Sequence, residues 1–553
     1  MSLFARKSIA VLLDEAQQTG QYTLKKTLGA GGLIALGIGA VIGAGLFSIT
    51  GMAAANHTGP AITISFTVAA IGCVFAGLCY AEFASMLPVS GSAYTYSYAT
   101  MGEFIAWIIG WDLVLEYAVG AATVSISWSR YLVKFFEGFD IHLPAALTLG
   151  PWDGGFINLP AVLIIVIMSL LLMKGTKESA AVNTIIVGLK IAVVIIFIIL
   201  GWKYINKQNY NPYIPVNNGT FGKFGFSGII RAAAIVFFAY IGFDSVSTAA
   251  QEAKNPKRDM PWGILGSLAI CTILYILFAH VLTGVTNYTT FAGKDGIAPV
   301  ALAIEKMGKA DSTGIIHPDY PWLNRAIIVA ILAGYSSVVL VMLMGQSRVF
   351  YSMSRDGLIP KIFSQINPAT HTPVKNNLLF MLFVSLFSAF VPARVVGEMT
   401  SIGTLFAFIL VCIGILIMRR KMPELPRAFK TPMVPFVPIV GIIVCLFMMV
   451  FLPMDTWIRL LVWMLIGMDV YINYGVKTSN LGNGTANRSG MGVALRSGSA
   501  LSVLLIIVGL LHQRIEGFQT DRTLLYIAVA FGVTHLSFFL YKLSRFKSIN
   551  SLL

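Results

Sequence analysis

Charge is what this 553-residue chain has least of. Lys, Arg, Asp and Glu make up 11 % of it, against 57 % hydrophobic residues, and the mean hydropathy is +0.79. A soluble domain carries roughly a quarter charged residues, so the composition excludes a soluble protein and predicts a polytopic membrane protein. Cysteine is nearly as scarce. The five residues Cys73, Cys79, Cys271, Cys412 and Cys445 all fall inside apolar runs, which excludes a disulfide framework. No G-x-x-x-x-G-K-[ST] loop occurs, which excludes a P-loop ATP motor. The histidines are scattered and no His/Cys cluster has metal-ligand spacing. No nucleophile–base pair is visible either, so neither an enzyme nor a metal or organic cofactor is expected. A net charge of +15 would suggest nucleic acid in a soluble protein. Here the basic residues sit mainly in loops, where they mark the cytoplasmic side of a membrane, and no nucleic acid is expected.

What is present is a succession of apolar runs. Stretches of about 20 apolar residues can be drawn near 32–56, 60–87, 104–135, 158–175, 180–203, 226–252, 261–284, 323–352, 376–394, 398–419, 433–452, 454–474, 494–513 and 522–544. That pattern predicts an all-α membrane protein with about fourteen spans. Residues 1–31 read as a cytosolic amphipathic lead-in without a cleavable signal peptide, and 546–553 as a cytosolic tail. Lys and Arg collect in alternate connections, at 174–177, 254–258, 348–375, 419–430 and 542–547, which predicts both termini on the cytoplasmic side. The link at 88–103 breaks that trend and reads as a tight, small-and-aromatic connection. Trp262, Trp322 and Trp457 near span ends read as interfacial anchors.

Two of these runs contain residues that a membrane helix should not. In 37–47 four glycines, Gly37, Gly39, Gly43 and Gly45, puncture the first run. Glycine weakens a helix interior by roughly 1 kcal/mol relative to alanine, and backbone freed in hydrocarbon has no water to bond. Either the glycines let two helices pack closely, or the helix is broken and offers free amides and carbonyls at the membrane centre. The sixth run carries Gly242 and then Asp244. Corresponding interruptions five spans apart point to a transporter with inverted repeats. They predict repeats at 32–203 and 226–420, followed by four added helices at 433–545.

These residues resemble a known superfamily. Gly37–Phe47, Tyr80–Tyr94, Gly175–Ala180, Phe238–Asp244 with Glu252–Pro256, and Arg348–Gly357 occur in the order found in the amino acid–polyamine–organocation superfamily. Within it, residues from about 23 to 475 are similar to the cationic amino acid transporter branch and its bacterial members. The resemblance implies the inverted-repeat fold with broken first and sixth helices. It also implies a zwitterion site in which amides near Gly43, Ala44 and Gly45 hold the substrate carboxylate. Carbonyls of Val41, Phe238, Ala239 and Ile241 would accept from its ammonium. Met342, and less directly Phe243, would face the substrate side chain. A bulky, uncharged thioether there favours neutral side chains over arginine; plain packing is the alternative for a methionine.

The charged residues within the spans carry the mechanism. Lys190 lies about 13 residues from Lys177 and from Lys203, roughly 20 Å from either end at 1.5 Å per residue, too far to snorkel. An ammonium there must be paired, neutral or facing a cavity. That makes Lys190 a candidate proton carrier, matching a fifth-span lysine of proton-coupled relatives; a structural ammonium tied to carbonyls is the other reading. Glu116 follows Asp112 by four residues on one helical face. Asp112 reads as solvated near the helix start. Glu116 reads as a deep pocket acid that titrates or faces a cationic side chain, or else as a protonated carboxyl bonded to a neighbouring helix. Asp244 reads first as a cap on the resumed helix and second as a proton relay. Glu82 reads as a gate or structural partner.

The sequence therefore predicts a plasma-membrane amino acid symporter working by alternating access, with protons as coupling ion. The expected cargo is a neutral amino acid such as alanine, or a cationic one such as arginine. A proton-independent exchanger and a non-transporting sensor are the alternatives. The C-terminal helices could serve a homodimer, an accessory membrane subunit or the surrounding lipid bilayer.

Overall fold

Backbone groups buried in hydrocarbon must bond within their own segment, so long apolar runs resolve into helices. The computed structural model describes residues 5–17, 26–43, 45–217, 219–292, 299–310, 316–481, 486–516 and 522–551. An N-terminal helix α1 (Ile9–Gln17) precedes α2 (Ala30–Val41), α3 (Ile62–Met86), α4 (Ser92–Thr100), α5 (Glu103–Val114) and α6 (Gly120–Glu137). The chain continues through α7 (Leu159–Lys174), α8 (Thr176–Trp202), α9 (Gly225–Val236), α10 (Pro256–Val285) and α11 (Pro321–Arg355). It ends with α12 (Val374–Phe390), α13 (Ala393–Lys421), α14 (Phe436–Val450), α15 (Met454–Val470), α16 (Ala486–Glu516) and α17 (Thr523–Ser551). A short antiparallel ribbon pairs Gly308–Ala310 with Ile316–Pro318, with Lys309 opposite His317.

Among the described residues, ten helical stretches are long and apolar enough to cross a membrane. The runs near 32–56 and 60–87 form one such stretch, Ala30–Met86, within which the chain turns at Gly59 (φ +61°). Three expected spans are shorter: α7, α12 and α14 have 16, 17 and 15 residues. At 1.5 Å per residue they reach about 22–26 Å, less than the roughly 30 Å hydrocarbon core. The expected tight link at 88–103 instead holds helix α4, every residue of which is buried. α5 and α6 run on as one rod through a wide helical turn, Leu115–Val119.

The two interrupted segments lie at the centre. α2 packs against α8, α10 and α11, and α3 against α9, α10 and α14. α6 lies along α11, and α13 along α14. α16 and α17 form a peripheral pair that meets the rest through α15. Trp262 and Trp322 are exposed at span ends as expected of anchors. Trp457 is not: its indole N–H donates to the Met449 carbonyl (3.2 Å), which draws the ring inward.

Buried ion pairs bind the face that carries α1. Glu82 is fully buried and accepts both Nε and Nη2 of Arg419 (2.9 Å each) and the Thr431 amide (2.7 Å). Arg427 stands 3.0 Å away, so Glu82 is the shared acceptor of two arginines. Arg348 of α11 meets Glu252 at 2.6 Å with both side chains almost inaccessible. The Glu252 carbonyl in turn accepts the Thr27 and Leu28 amides (2.9 Å each). Lys7 reaches Asp356 at 2.6 Å, and the same carboxylate accepts the Tyr94 hydroxyl (2.7 Å).

Candidate functional site

The first break begins where α2 stops at Val41. Ile42 is extended (φ −75°, ψ 102°), and helical structure resumes at Gly45–Ile49. The Gly43 carbonyl accepts the Leu46 and Phe47 amides (3.1 Å each), while no described residue accepts from the Gly43 or Gly45 amides. These are free N–H groups at the start of a half-helix, where an anion is favoured. Ala44, expected to contribute a third amide, lies outside the described residues.

The second break follows α9. A tight turn, Phe237–Tyr240, leads to an extended Ile241 (ψ 134°) and to Gly242 at φ +112°. That conformation is open to glycine and strained for other residues. A short helix, Ser245–Thr248, then resumes.

The breaks face one another with no room to spare. A Cβ on Gly45 would stand 2.3 Å from Ala239 Cα, and one on Gly242 2.6 Å from Ala40 Cβ. Both readings of the glycines therefore hold, at different positions. Gly37 and Gly39 remain in the helix and admit Ser267 and Asn183; Gly43 and Gly45 belong to the break. Gly45→Ala is expected to push two backbones apart, destabilising by about 1–3 kcal/mol and abolishing substrate binding. Gly188→Ala, with nothing within 4 Å of the added carbon, is the control and should gain up to about 1 kcal/mol of helix propensity. Thermal unfolding and ligand binding in detergent distinguish the two.

Carbonyls released at the breaks converge on side chains. Tyr275 of α10 places its hydroxyl 2.7 Å from the Val41 carbonyl and 2.8 Å from that of Ala239. A phenol has one proton, so one of these two acceptors always has capacity for another donor. The Phe238 carbonyl accepts the Ile241 amide (3.2 Å). No described donor meets the Ile241 carbonyl. Val41 and Ala239, expected to act together, are thus brought to one point; Tyr275 is the residue that the sequence reading missed.

Lys190 is fully buried. Its Nζ donates to the carbonyls of Gly39 (2.7 Å) and Ile42 (2.8 Å) and to Ser337 Oγ (3.4 Å). Ser337 Oγ lies 2.7 Å from Asn183 Oδ1, and Asn183 donates to Ala35 O (3.3 Å). One amine therefore joins α8, the end of α2 and α11. Val338, next to Ser337, packs within 2.6 Å of where a Gly43 Cβ would lie. Met342, one turn further along the same face, rests on Gly120 and beside Thr400. Phe243 packs tilted against Phe408 (centroids 5.0 Å) and edge-to-face against Tyr80 (6.0 Å).

The acids form a separate group. Asp112 is fully buried rather than solvated, because α4 packs beside α5 and Gly403 of α13 closes over its carboxyl. Among the described residues, neither carboxyl oxygen of Asp112 has a hydrogen-bond partner. Glu116 sits in the wide turn Leu115–Val119, with Thr404, Asp112 and Asp244 as polar neighbours. Asp244 stands at the N-cap position of the resumed helix, and its carbonyl accepts the Ser247 amide (2.8 Å). Its carboxylate accepts the Gly242 amide (3.3 Å) and the Tyr117 hydroxyl, so it braces the second break against the rod holding Glu116. In sum, two facing backbone breaks offer opposite partial charges, a lysine is wired to one of them, and three buried carboxyls stand behind the other.

Residues 28–470 match the family model described as amino acid permease. The chain is 45% identical over 484 residues to the branched-chain amino acid permease BcaP of Bacillus subtilis (strain 168), covering 87% of this chain and 99% of that protein. It is 41% identical over 482 residues to the methylthioribose transporter of the same organism, covering 87% and 99%. With the vacuolar cationic amino acid transporter 4 of Arabidopsis thaliana it shares 34% identity over 407 residues, 73% of this chain and 65% of that one.

Proposed function

The chain belongs to the amino acid permease family, and from that membership we propose a proton-coupled symporter that moves a neutral L-amino acid by alternating access. The two facing breaks carry this reading. Free amides at Gly43 and Gly45 suit a carboxylate, and carbonyls at Val41, Ala239 and Ile241 suit an ammonium, so an α-amino acid satisfies both half-helices at once. The approach of the Val41 and Ala239 carbonyls to one hydroxyl, that of Tyr275, supports an ammonium site beside them.

Lys190 is the coupling group. Protonated, it has three donors for the Gly39 and Ile42 carbonyls and for Ser337, which holds the first break against α11. Loss of the proton removes the charge from that junction and loosens it, releasing substrate to the cytoplasm. Asp244, bonded to the Gly242 amide of the second break, and Glu116 behind it relay protons. The fourteen-span arrangement fits this mechanism: repeats at 32–203 and 226–420, four added helices at 433–545, and both termini in the cytoplasm. In it the ion pairs around Glu252, Glu82 and Lys7 close the cytoplasmic side.

The names of relatives include branched-chain and cationic amino acids and a thioether sugar, so side-chain selectivity needs its own test. Uptake of labelled leucine, alanine and arginine into proteoliposomes is measured with and without an inward proton gradient. Accumulation of leucine or alanine only with the gradient is expected. The buried Glu116 carboxyl favours a second reading, in which arginine accumulates and Glu116 is its counter-ion. Met342→Ala is expected to raise arginine uptake relative to alanine by roughly tenfold, the scale of pocket discrimination by size. An unchanged ratio would remove Met342 from the pocket wall.

A further inference from the structure

The connection after the second break, Glu252-Ala253-Lys254-Asn255-Pro256-Lys257-Arg258, is rich in cations and short of acids. It is pinned to the N-terminal segment: Leu28 pairs with Ala253 as in a parallel sheet, and the Lys254 amide donates to the Leu28 carbonyl (2.7 Å). Beside this junction lies a cavity of about 570 Å³ whose lining includes Ile9, Leu13, Lys26, Lys254, Lys257 and Arg427, and no Asp or Glu.

The acids nearby are already engaged. Glu252 is paired with Arg348, Asp259 accepts the Asn255 amide (3.3 Å), and Glu82 is shared by Arg419 and Arg427. Three further donors of Arg427 go to the carbonyls of Met422, Pro423 and Leu425. Among the described residues, Lys26, Lys254 and Lys257 have no ion-pair partner. Three unpaired ammonium groups thus share one cavity. One wall is α1, on which Val11 and Leu13 are 48 % and 36 % exposed, apolar side chains presented as on a helix lying in a membrane interface.

We propose that this cavity binds a phosphate ester, and that the ester is the headgroup of an anionic phospholipid. Lys26, Lys254 and Lys257 hold the phosphate, and Ile9 and Leu13 meet the first carbons of the acyl chains. Basic pockets at the cytoplasmic ends of membrane helices suit such headgroups. A soluble phosphate compound shares the charge but has no use for the apolar wall. The site lies at the junction of the N-terminal segment with the second broken helix, so its occupancy fastens the closed cytoplasmic side. It does not depend on which substrate is carried.

The full chain in neutral detergent is titrated with dioleoylphosphatidylglycerol and, separately, with dioleoylphosphatidylcholine, and bound copies are counted by native mass spectrometry. Each lysine at an anionic headgroup strengthens binding by about fivefold. Lys26→Gln/Lys254→Gln/Lys257→Gln should therefore bind the anionic lipid at least tenfold more weakly. Lys174→Gln/Lys361→Gln/Lys375→Gln, exposed lysines outside the cavity, should leave binding unchanged. All six lysines are exposed, so folding is not at risk. Inorganic phosphate at millimolar concentration should displace the lipid poorly. Displacement as efficient as by the lipid itself would assign the site to a soluble phosphate compound and overturn the lipid assignment. Equal binding of the two lipids, or equal loss in both triple variants, would overturn the site.

Discussion

Lys190→Arg is expected to yield a folded protein that binds substrate and fails to accumulate it under a proton gradient, with gradient-driven uptake reduced at least about tenfold. A guanidinium keeps its charge at any physiological pH. It can replace the donors now given to the Gly39 and Ile42 carbonyls, and Gly334, whose added Cβ would lie 3.5 Å from the lysine Cδ, leaves space beside the stem. What it cannot do is release a proton. Lys190→Ala differs in kind. It leaves the buried Ile42 carbonyl without a donor and the Gly39 carbonyl with Ser337 Oγ alone (3.1 Å), at about 1–3 kcal/mol for the orphaned group, so it should lose both stability and coupling. The pair separates a structural ammonium from a coupling one. If Lys190→Arg accumulates substrate with the wild-type pH dependence, the amine is structural, the other role its sequence position allowed.

Arg348→Ala should destabilise the protein more than any other single change considered. It strands Glu252, whose side chain is 2 % exposed, and breaking a buried pair from one side costs about 3–5 kcal/mol. The damage has a direction. The Glu252 backbone also holds Thr27 and Leu28, so hydrogen exchange at those two amides should rise before exchange at α10 does. Arg348→Met combined with Glu252→Leu removes both charges and should recover most of the unfolding temperature, since paired apolar replacements of buried ion pairs are often neutral. A double variant as unstable as Arg348→Ala would show that the guanidinium has another partner of equal weight.

How much of this was legible in the sequence follows from where each partner lies. The breaks were legible because their cause is local: glycines and an acid inside apolar runs conflict with a regular helix. The depth of Lys190 was legible from helix rise alone. Its partners were not, since Gly39 and Ser337 are 151 and 147 residues away and only tertiary packing brings them together. Tyr275 gave no signal, because a tyrosine in an apolar helix is unremarkable until two freed carbonyls approach it. Asp112 was misread because its position near a helix start suggests water, whereas α4, read as a loop, packs beside it. Asp244 was legible only in its local part. Its position before a resumed helix follows from neighbouring residues, whereas the hydroxyl its carboxylate accepts belongs to Tyr117, 127 residues distant. The wide turn at Leu115–Val119, which carries Glu116, leaves no mark in a run of apolar residues.

The most direct test uses vesicles loaded with a pH-sensitive dye, containing the reconstituted protein and no imposed gradient. On addition of external leucine or alanine, the proposed symport requires the lumen to acidify as the amino acid enters, and Lys190→Arg vesicles to show no acidification. Entry of labelled amino acid with the luminal pH unchanged would contradict proton coupling and leave a facilitator or exchanger built on the same two broken helices.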